Sequence, residues 1–585
     1  MRFAPGFRTL SFLLLMAMPG LSQADAAPTA ARPLAPPKTI AYSATPNAYF
    51  NDHAADAAQL YDGFFFVAGT WDTNATENLG LNAAPGAPVA WHDLVRENLA
   101  HLNAAGATEN LLGVYFSDAG TWPSPETLLD PAATESMTAQ FAAIAASAKD
   151  LGFRGICVDL EYPYPRYALD HAIYGYEDYT AEDLTEAAET QARAITSGML
   201  KAWPDAVIVV LPGALWVRPL ARAFQLGMLE AMAEHDAPGG LHFFTERSYG
   251  LLDPVSQAAI PRETDLAILA LVQDPAVRAY WSRRCSAGPG VWPLHMLETG
   301  GKDYPVRPWS EELEELGQQM RILRAVARRY VWSYSANPLW HPYTPEIAQQ
   351  YQLGVAPFPG VEEFLPGWRR ILQDREPINE PQLLPLIAAA WQLDQGVITP
   401  ESYCDRFGTP AQWLILGPLS NPFDNPAWSA PRTLLKPLRL DRPVAGRDSM
   451  VRWFPFKNYE PLGSIRIMPA FEWFKTDMAS VQLVSDVESE SPVQALLHLA
   501  WDDGAAVWLN GALIFDQRSY PERGHGMLYR DRYDFETQVP IALPQGKSRL
   551  AVLSINQKGG WGVNLRITDK DGWPLSGLRF SLPQE

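Results

Sequence analysis

The chain has 585 residues and a formal net charge of −20, from 66 acidic against 46 basic side chains, and 47% of it is apolar. That length is more than one ordinary domain needs, and the apolar share suits a globular protein with a sizeable core. The acidic balance excludes nucleic acid and anionic membrane as partners, because either demands a basic face.

Residues 1–24 have the grammar of an export signal. Arg2 and Arg8 precede an apolar run from Leu10 to Leu21, and Ser22-Gln23-Ala24 offers small residues for cleavage. The run falls short of the ~20 apolar residues of a membrane span, and no later uncharged stretch reaches that length, so no membrane insertion is expected. The mature chain is expected in the periplasm or outside the cell. Residues 25–38, rich in Ala and Pro, read as an extended linker.

From residue 39 to 374 one unit recurs: a short apolar run, polar or Gly residues, then an amphipathic helix. The runs predict strands at 39–42, 64–67, 111–116, 155–158, 207–211, 241–244, 292–297 and 330–334. Runs without polar alternation are the mark of parallel strands covered on both faces. Thr180 with Asp183 opens a helix in near capping-box fashion, and Glu311 and Glu312 suit the start of another. Units of this kind and number predict an α/β fold, a (β/α)8 TIM barrel, with a doubly wound open sheet as the alternative. Residues 375–410 read as a helical connector with Leu383, Leu384, Ile387 and Trp391 on its apolar face. Beyond it the periodicity falls toward two and turn signals appear, among them Asn510-Gly511, a type I′ hairpin signal. Residues 411–585 therefore predict an all-β sandwich.

Of the three cysteines, Cys157 lies in an apolar strand and reads as an inert core thiol, while Cys285 and Cys404 leave pairing open. The ten histidines are scattered, with no metal-ligand spacing, so neither a metal nor another cofactor is expected. His242 and His295 sit inside apolar runs and read as hydrogen-bonded core residues.

Barrel chemistry sits at the C-terminal ends of the strands. The fourth run ends in Val158-Asp159-Leu160-Glu161-Tyr162-Pro163. Asp159 and Glu161, two apart, share one face of an extended chain, and close carboxylates keep a proton available for donation near neutrality. Protonating a glycosidic oxygen needs such a group. Glu298 follows the seventh run and is the other candidate carboxylate. Glu246 follows the sixth and is a candidate to bind substrate, although Arg247 offers an ion-pair partner nearby. Tyr162, Trp332 and Tyr334 are candidates to line a sugar subsite, and Trp71, Trp122 and Trp340 to extend a cleft, although strand-end Trp residues are more often core.

The stretch 152–163, Gly-Phe-Arg-Gly-Ile-Cys-Val-Asp-Leu-Glu-Tyr-Pro, resembles the fourth-strand signature of the chitinase-like glycoside hydrolases, family eighteen. The resemblance implies Glu161 as general acid and Asp159 as the residue orienting a substrate N-acetyl group. The sequence departs from that signature at Arg154 and Cys157, where the family has acids, and at Leu160, where it has Trp. Placing Glu161 and Glu298 on the fourth and seventh strands resembles many retaining barrel glycosidases. A carboxylate separation of ~5–5.5 Å implies retention, and one of ~6.5–9.5 Å inversion.

Trp413-Leu414-Ile415-Leu416-Gly417-Pro418, the stretch from Asp502-Asp503-Gly504 to Leu509-Asn510-Gly511, and Gly560-Trp561-Gly562 resemble the galactose-binding-like jelly rolls appended to many bacterial glycosidases. Trp508 and Trp561 are read there as bracing residues rather than sugar platforms. The reading as a whole is a secreted glycoside hydrolase acting on a polysaccharide or oligosaccharide. Its alternatives are a non-catalytic glycan-binding scaffold and, at the same site, transglycosylation or lyase chemistry.

Overall fold

The computed structural model describes residues 36–68, 78–79, 81, 90–115, 125–160, 179–213, 215, 219–250, 253–294, 308–335, 339–342, 344–353, 358, 360–420, 438–467, 471, 477–518, 537–557 and 561–584. Eight parallel strands close into a barrel in chain order. They are β1 (Lys38–Ala44), β2 (Gly63–Val67), β3 (Leu111–Tyr115), β4 (Gly155–Asp159), β5 (Val207–Leu211), β6 (Leu241–Thr245), β7 (Ser286–Val291) and β8 (Tyr330–Ser333). The seam joins β1 to β8, with Thr39 opposite Val331 and Ala41 opposite Ser333.

The helices between strands begin and stop where local chemistry says they should. Asp130 caps Pro131–Leu151 by accepting the Ala132 N–H, and Gly152 ends it with a left-handed φ of 96°. Thr180 accepts the Asp183 N–H at 3.0 Å to open Ala181–Ala202. Among the described residues no helix is long and apolar enough to cross a membrane.

The barrel interior is filled by Ile40, Tyr42, Phe65, Leu111, Cys157, Val207, Val209, Leu211, Phe244, Tyr330 and Trp332. Rings of this size fit because neighbouring strand positions carry no side chain. A Cβ on Gly113 would lie 2.1 Å from the Phe65 ring, one on Gly288 2.7 Å from Phe244, and one on Gly290 2.7 Å from Trp332. This packing corrects the seventh strand. The segment 286–291, Ser-Ala-Gly-Pro-Gly-Val, carries one β-branched residue and does not look like a strand. It forms β7 because Phe244 and Trp332 require bare backbone there. Of the expected 292–297 strand, residues 292–294 form a turn and the rest lies outside the described residues.

His242 is wholly buried, its Nδ1 2.9 Å from Ser286 Oγ and its Nε2 3.2 Å from the Gly239 carbonyl. His295 lies outside the described residues. All three cysteines are free and buried. Burial pushes each thiol up, that of Cys285 to about 12.

Helices Val361–Gln373, Leu384–Asp394 and Pro400–Arg406 lead out of the barrel. The buried face of the second is Leu386, Ala389, Ala390 and Leu393, while Leu384 is 48% exposed. Of the expected face Leu383 is buried and Ile387 packs against the core, while Leu384 points outward. Arg262, from helix Pro254–Leu271, reaches in beneath it, stacks 5.2 Å from Trp391 and bonds Asp394 at 2.6 Å.

Two antiparallel sheets follow. The strands in chain order are β9 (Gln412–Ser420), the ribbon β10 (Val444–Ala445) and β11 (Met450–Val451), β12 (Phe454–Lys457), β13 (Ser464–Arg466), β14 (Ala479–Ser489) and β15 (Val493–Trp501). Then come β16 (Gly504–Leu509), β17 (Ala512–Gln517), β18 (Thr537–Leu543), β19 (Gly546–Asn556), β20 (Gly562–Thr568) and β21 (Leu578–Ser581). The larger sheet runs β12-β9-β14-β19-β16-β17 with β21 beside β14, and the smaller runs β13-β20-β15-β18. Strand β9 shows why this is a sandwich with an extra layer. Trp413 and Ile415 enter the core between the sheets, while Leu414 and Leu416 pack on the opposite face under Leu438 and Trp453. Trp508 and Trp561 are both buried. Asn510 and Gly511 have φ of 50° and 82°, the mirror-image turn that joins β16 to β17.

Two outcomes test this packing. Gly113→Ala must displace the Phe65 ring, and an overpacked core is expected to lose about 1–3 kcal/mol in urea unfolding; an unchanged midpoint contradicts the fit. Asp405 accepts the Phe580 N–H at 3.1 Å, and burial pushes its carboxyl up to about 7. The folded chain therefore holds a proton that the unfolded chain releases near pH 4, and native stability is lost as pH rises from there to about 7. Asp405→Asn should raise Tm above pH 7, with the gain fading toward pH 4.

Candidate functional site

The site is built from the C-terminal ends of the strands. Along β4, Ile156 and Val158 face the helical layer, while Cys157 faces the barrel interior. Asp159 continues on the interior side and is 1% exposed. Along β1 the same alternation sends Ala41 outward and Ile40 and Tyr42 inward. The two inward residues meet across the barrel: the Tyr42 hydroxyl donates to Asp159 Oδ2 at 2.7 Å. Burial first, then the Asp159 carboxylate, holds the Tyr42 phenol well above its ordinary range. Tyr42 therefore keeps its proton and stays the donor in this hydrogen bond.

Aromatic rings close around this pair. Tyr42 stacks on Phe65 at 4.4 Å and meets Tyr334 at 5.4 Å and Trp332 at 5.5 Å. Tyr334 meets Trp292 at 5.0 Å, Trp292 meets Tyr249 at 5.5 Å, and Tyr249 returns to Trp332 at 5.5 Å. Tyr334, Trp292 and Tyr249 are partly exposed, whereas Trp332 is wholly buried and donates from Nε1 to the Gly288 carbonyl at 2.9 Å. The rim thus offers apolar ring faces above a buried, hydrogen-bonded carboxylate, the mixture that small-molecule sites use.

Several candidates fall elsewhere. Trp332 is the floor beneath the rim rather than a surface, because its ring is stacked under Phe244 at 5.4 Å. Trp340 is also core: it stacks on Phe50 at 4.4 Å between the barrel and its outer helices. Glu246 follows β6 directly, half-buried at the rim. Glu161, Tyr162, Glu298, Trp71 and Trp122 lie outside the described residues. Tyr42, Tyr249 and Trp292 were not singled out in the sequence. Tyr42 ends the first predicted strand, so the strand-end position that marks Asp159 marks it as well.

The two departures from the fourth-strand signature have different meanings. Arg154 precedes β4 at the far end of the barrel and donates to the Asp205 carbonyl at 3.2 Å. Cys157 lies directly beneath Asp159, and burial, followed by the Asp159 charge, holds its thiol protonated. Among the described residues no three His, Cys, Asp or Glu side chains gather as a metal site requires.

The rim is tied to the sandwich through charge. Arg247, one residue past Glu246, pairs with Glu263 and lies 3.2 Å from Glu460. Arg466 lies 3.3 Å from Glu263 and 3.5 Å from Glu460, closing a square of alternating charges whose side chains are all at most 14% exposed. Nearby, Arg566 bonds Asp253 at 3.1 Å and Ser256 at 2.7 Å.

No protein-family model matches the chain, and no curated protein matches it. Among solved structures it is similar to a GH5_18 protein from Streptomyces cattleya in complex with GlcNAc, at 13% identity over 62% of this chain and 92% of that one, with a TM-score of 0.33. A GH30 endoxylanase from Clostridium papyrosolvens is 8% identical over 89% of this chain and 97% of that one, with a TM-score of 0.29. A morphinone reductase in complex with tetrahydroNAD is 11% identical over 59% of this chain and 94% of that one, with a TM-score of 0.28. Glycoside hydrolases recur among these neighbours, yet a reductase overlaps as well, and likeness at this level carries no argument about chemistry.

Tyr42→Phe should leave the barrel folded and remove the hydrogen bond that holds Asp159. Difference infrared spectroscopy, with Asp159→Asn as the reference, checks this: the stretching bands of the Asp159 carboxyl group should shift, and unmoved bands contradict the donor role of Tyr42.

Proposed function

We propose that the protein is an exported glycoside hydrolase that cleaves a polysaccharide or oligosaccharide at the C-terminal mouth of its barrel. The observation that carries the reading is the buried Asp159 at the end of β4, held by the Tyr42 hydroxyl within a ring of aromatic faces. Sugar rings present C–H faces that stack on such aromatics, and a fixed carboxylate orients the group that reacts.

In this reading Glu161 donates a proton to the leaving glycosidic oxygen. Asp159, held by the Tyr42 hydroxyl, orients the substrate or steadies the positive charge that develops at the anomeric carbon. Glu298 is the candidate second carboxylate, and its separation from Glu161 decides between a covalent retaining path and an inverting one. The buried thiol of Cys157 supplies no partner with which Asp159 shares a proton. The N-acetyl-assisted path of the chitinase-like family is therefore the less favoured variant. The sandwich, whose Trp508 and Trp561 are buried, acts as a brace even though its motifs resemble galactose-binding-like modules.

Release of reducing ends from a panel of polysaccharides, alongside hydrolysis of aryl glycosides, tests the reading. Glu161→Gln should slow hydrolysis of natural linkages on the order of 10²–10⁴-fold, as loss of a general acid does. The loss should be smaller on dinitrophenyl glycosides, whose leaving group needs little protonation. Full activity in Glu161→Gln removes the proposal. Glycan binding by the wild type with no turnover on prolonged incubation would favour instead the scaffold reading, which the inert Cys157 supports.

A further inference from the structure

We infer that the C-terminal sandwich is a working part of the barrel site, with Arg247 and Glu460 as positioning residues that fix the turn after β6. The inference deepens the proposed function and rests on it for its kinetic arm only.

The turn 245–250 carries Glu246 and Tyr249 to the rim, and it is pinned from three directions. Ser248 Oγ donates to the Gly290 carbonyl of β7 at 2.7 Å. Gln319, on helix Trp309–Val326, donates to the Ser248 carbonyl at 2.6 Å. The third tie comes from outside the barrel: Arg247 reaches Glu460, whose side chain is 1% exposed, while Arg466 closes the square from β13. Glu460 is itself held in place, because its Oε1 accepts the Leu462 N–H at 3.2 Å. Arg466 is held as well, its backbone N–H donating to Asn458 Oδ1 at 3.3 Å.

The ties inside the barrel grip Ser248 in the middle of the turn and reach Arg247 through Glu263 and Thr245, while the sandwich grips Arg247 through Glu460. Buried charge pairs add little net stability over apolar contacts, but they are exacting about geometry, so a square of four suits orientation better than adhesion. Tyr249 then transmits the position of the turn to the aromatic ring through its contacts with Trp292 and Trp332.

The test uses the full-length protein with Arg247→Met, Arg247→Lys and Glu460→Gln, and with Arg566→Met as control. The control removes the ion pair between Arg566 of the sandwich and Asp253 of the barrel. Hydrogen exchange read by mass spectrometry should show the peptide spanning 245–250 exchanging about tenfold faster in Arg247→Met and Glu460→Gln, through local opening, with Arg247→Lys restoring most of the protection. In Arg566→Met this peptide should keep its wild-type rate. Near-ultraviolet circular dichroism should change with the first two variants, because Trp292 and Tyr249 share the ring. If the wild type hydrolyses a glycoside, kcat should fall on the order of ten- to a hundredfold in Arg247→Met with a smaller change in KM. Unaltered exchange in 245–250 with a loosened sandwich overturns the inference, as does an equal effect of Arg566→Met. Faster exchange in a protein that hydrolyses nothing leaves the positioning role standing and removes only the glycosidase reading.

Discussion

The interior of an eight-stranded barrel has a fixed width, and here it is filled by rings too large for it unless some strands surrender their side chains. Phe65, Phe244 and Trp332 occupy the space left by Gly113, Gly288 and Gly290. The arrangement is close-packed, so each ring fixes the next. Trp332 is locked by Phe244 and by its bond to the Gly288 carbonyl; Tyr42 rests on Phe65 and Trp332; and the orientation of Tyr42 decides where its hydroxyl meets Asp159. The placement of one carboxylate at the mouth is thereby a consequence of how glycines and aromatics are shared out among strands several positions below it.

A second layer of organisation lies outside the barrel and is electrostatic. The helix Pro254–Leu271 is buried along most of its length, between the strands, the connector and the sandwich. It bears Arg262, Glu263 and Asp265, each committed to a partner from a different neighbour: Asp394, Arg466 and Arg328. Charges taken out of water to this degree tolerate little displacement, since a lost partner leaves an uncompensated ion. The helix therefore registers three bodies against one another, and the rim after β6 lies at its N-terminal approach.

Much of this was legible in the amino-acid order, and the exceptions have physical causes. Seven of the eight strands read as apolar runs because both faces of a parallel barrel strand are covered. The seventh escaped because its local propensity points away from a strand, and only the bulk of Phe244 and Trp332 on the two neighbouring strands explains its glycines. Asp159 is legible as an acid at a strand end. Its partner Tyr42 was missed because a tyrosine in a short first strand carries no signal until the barrel closes and sets β1 opposite β4. Trp332 and Trp340 stood where a sugar platform belongs, but exposure is a property of the packed whole. The tie between Arg247 and Glu460 spans more than 200 positions of chain and two folds, and no local pattern announces it.

The absence of any sulfur bridge among the three buried cysteines has a consequence for how the chain can be handled. No covalent crosslink contributes to the described architecture, so oxidising conditions are not needed to reach it and reducing agents have nothing there to break. Its shape is redox-indifferent, held by packing, hydrogen bonds and paired charges. Alkylating reagents should find these thiols only after the native state opens, which makes them built-in reporters of unfolding.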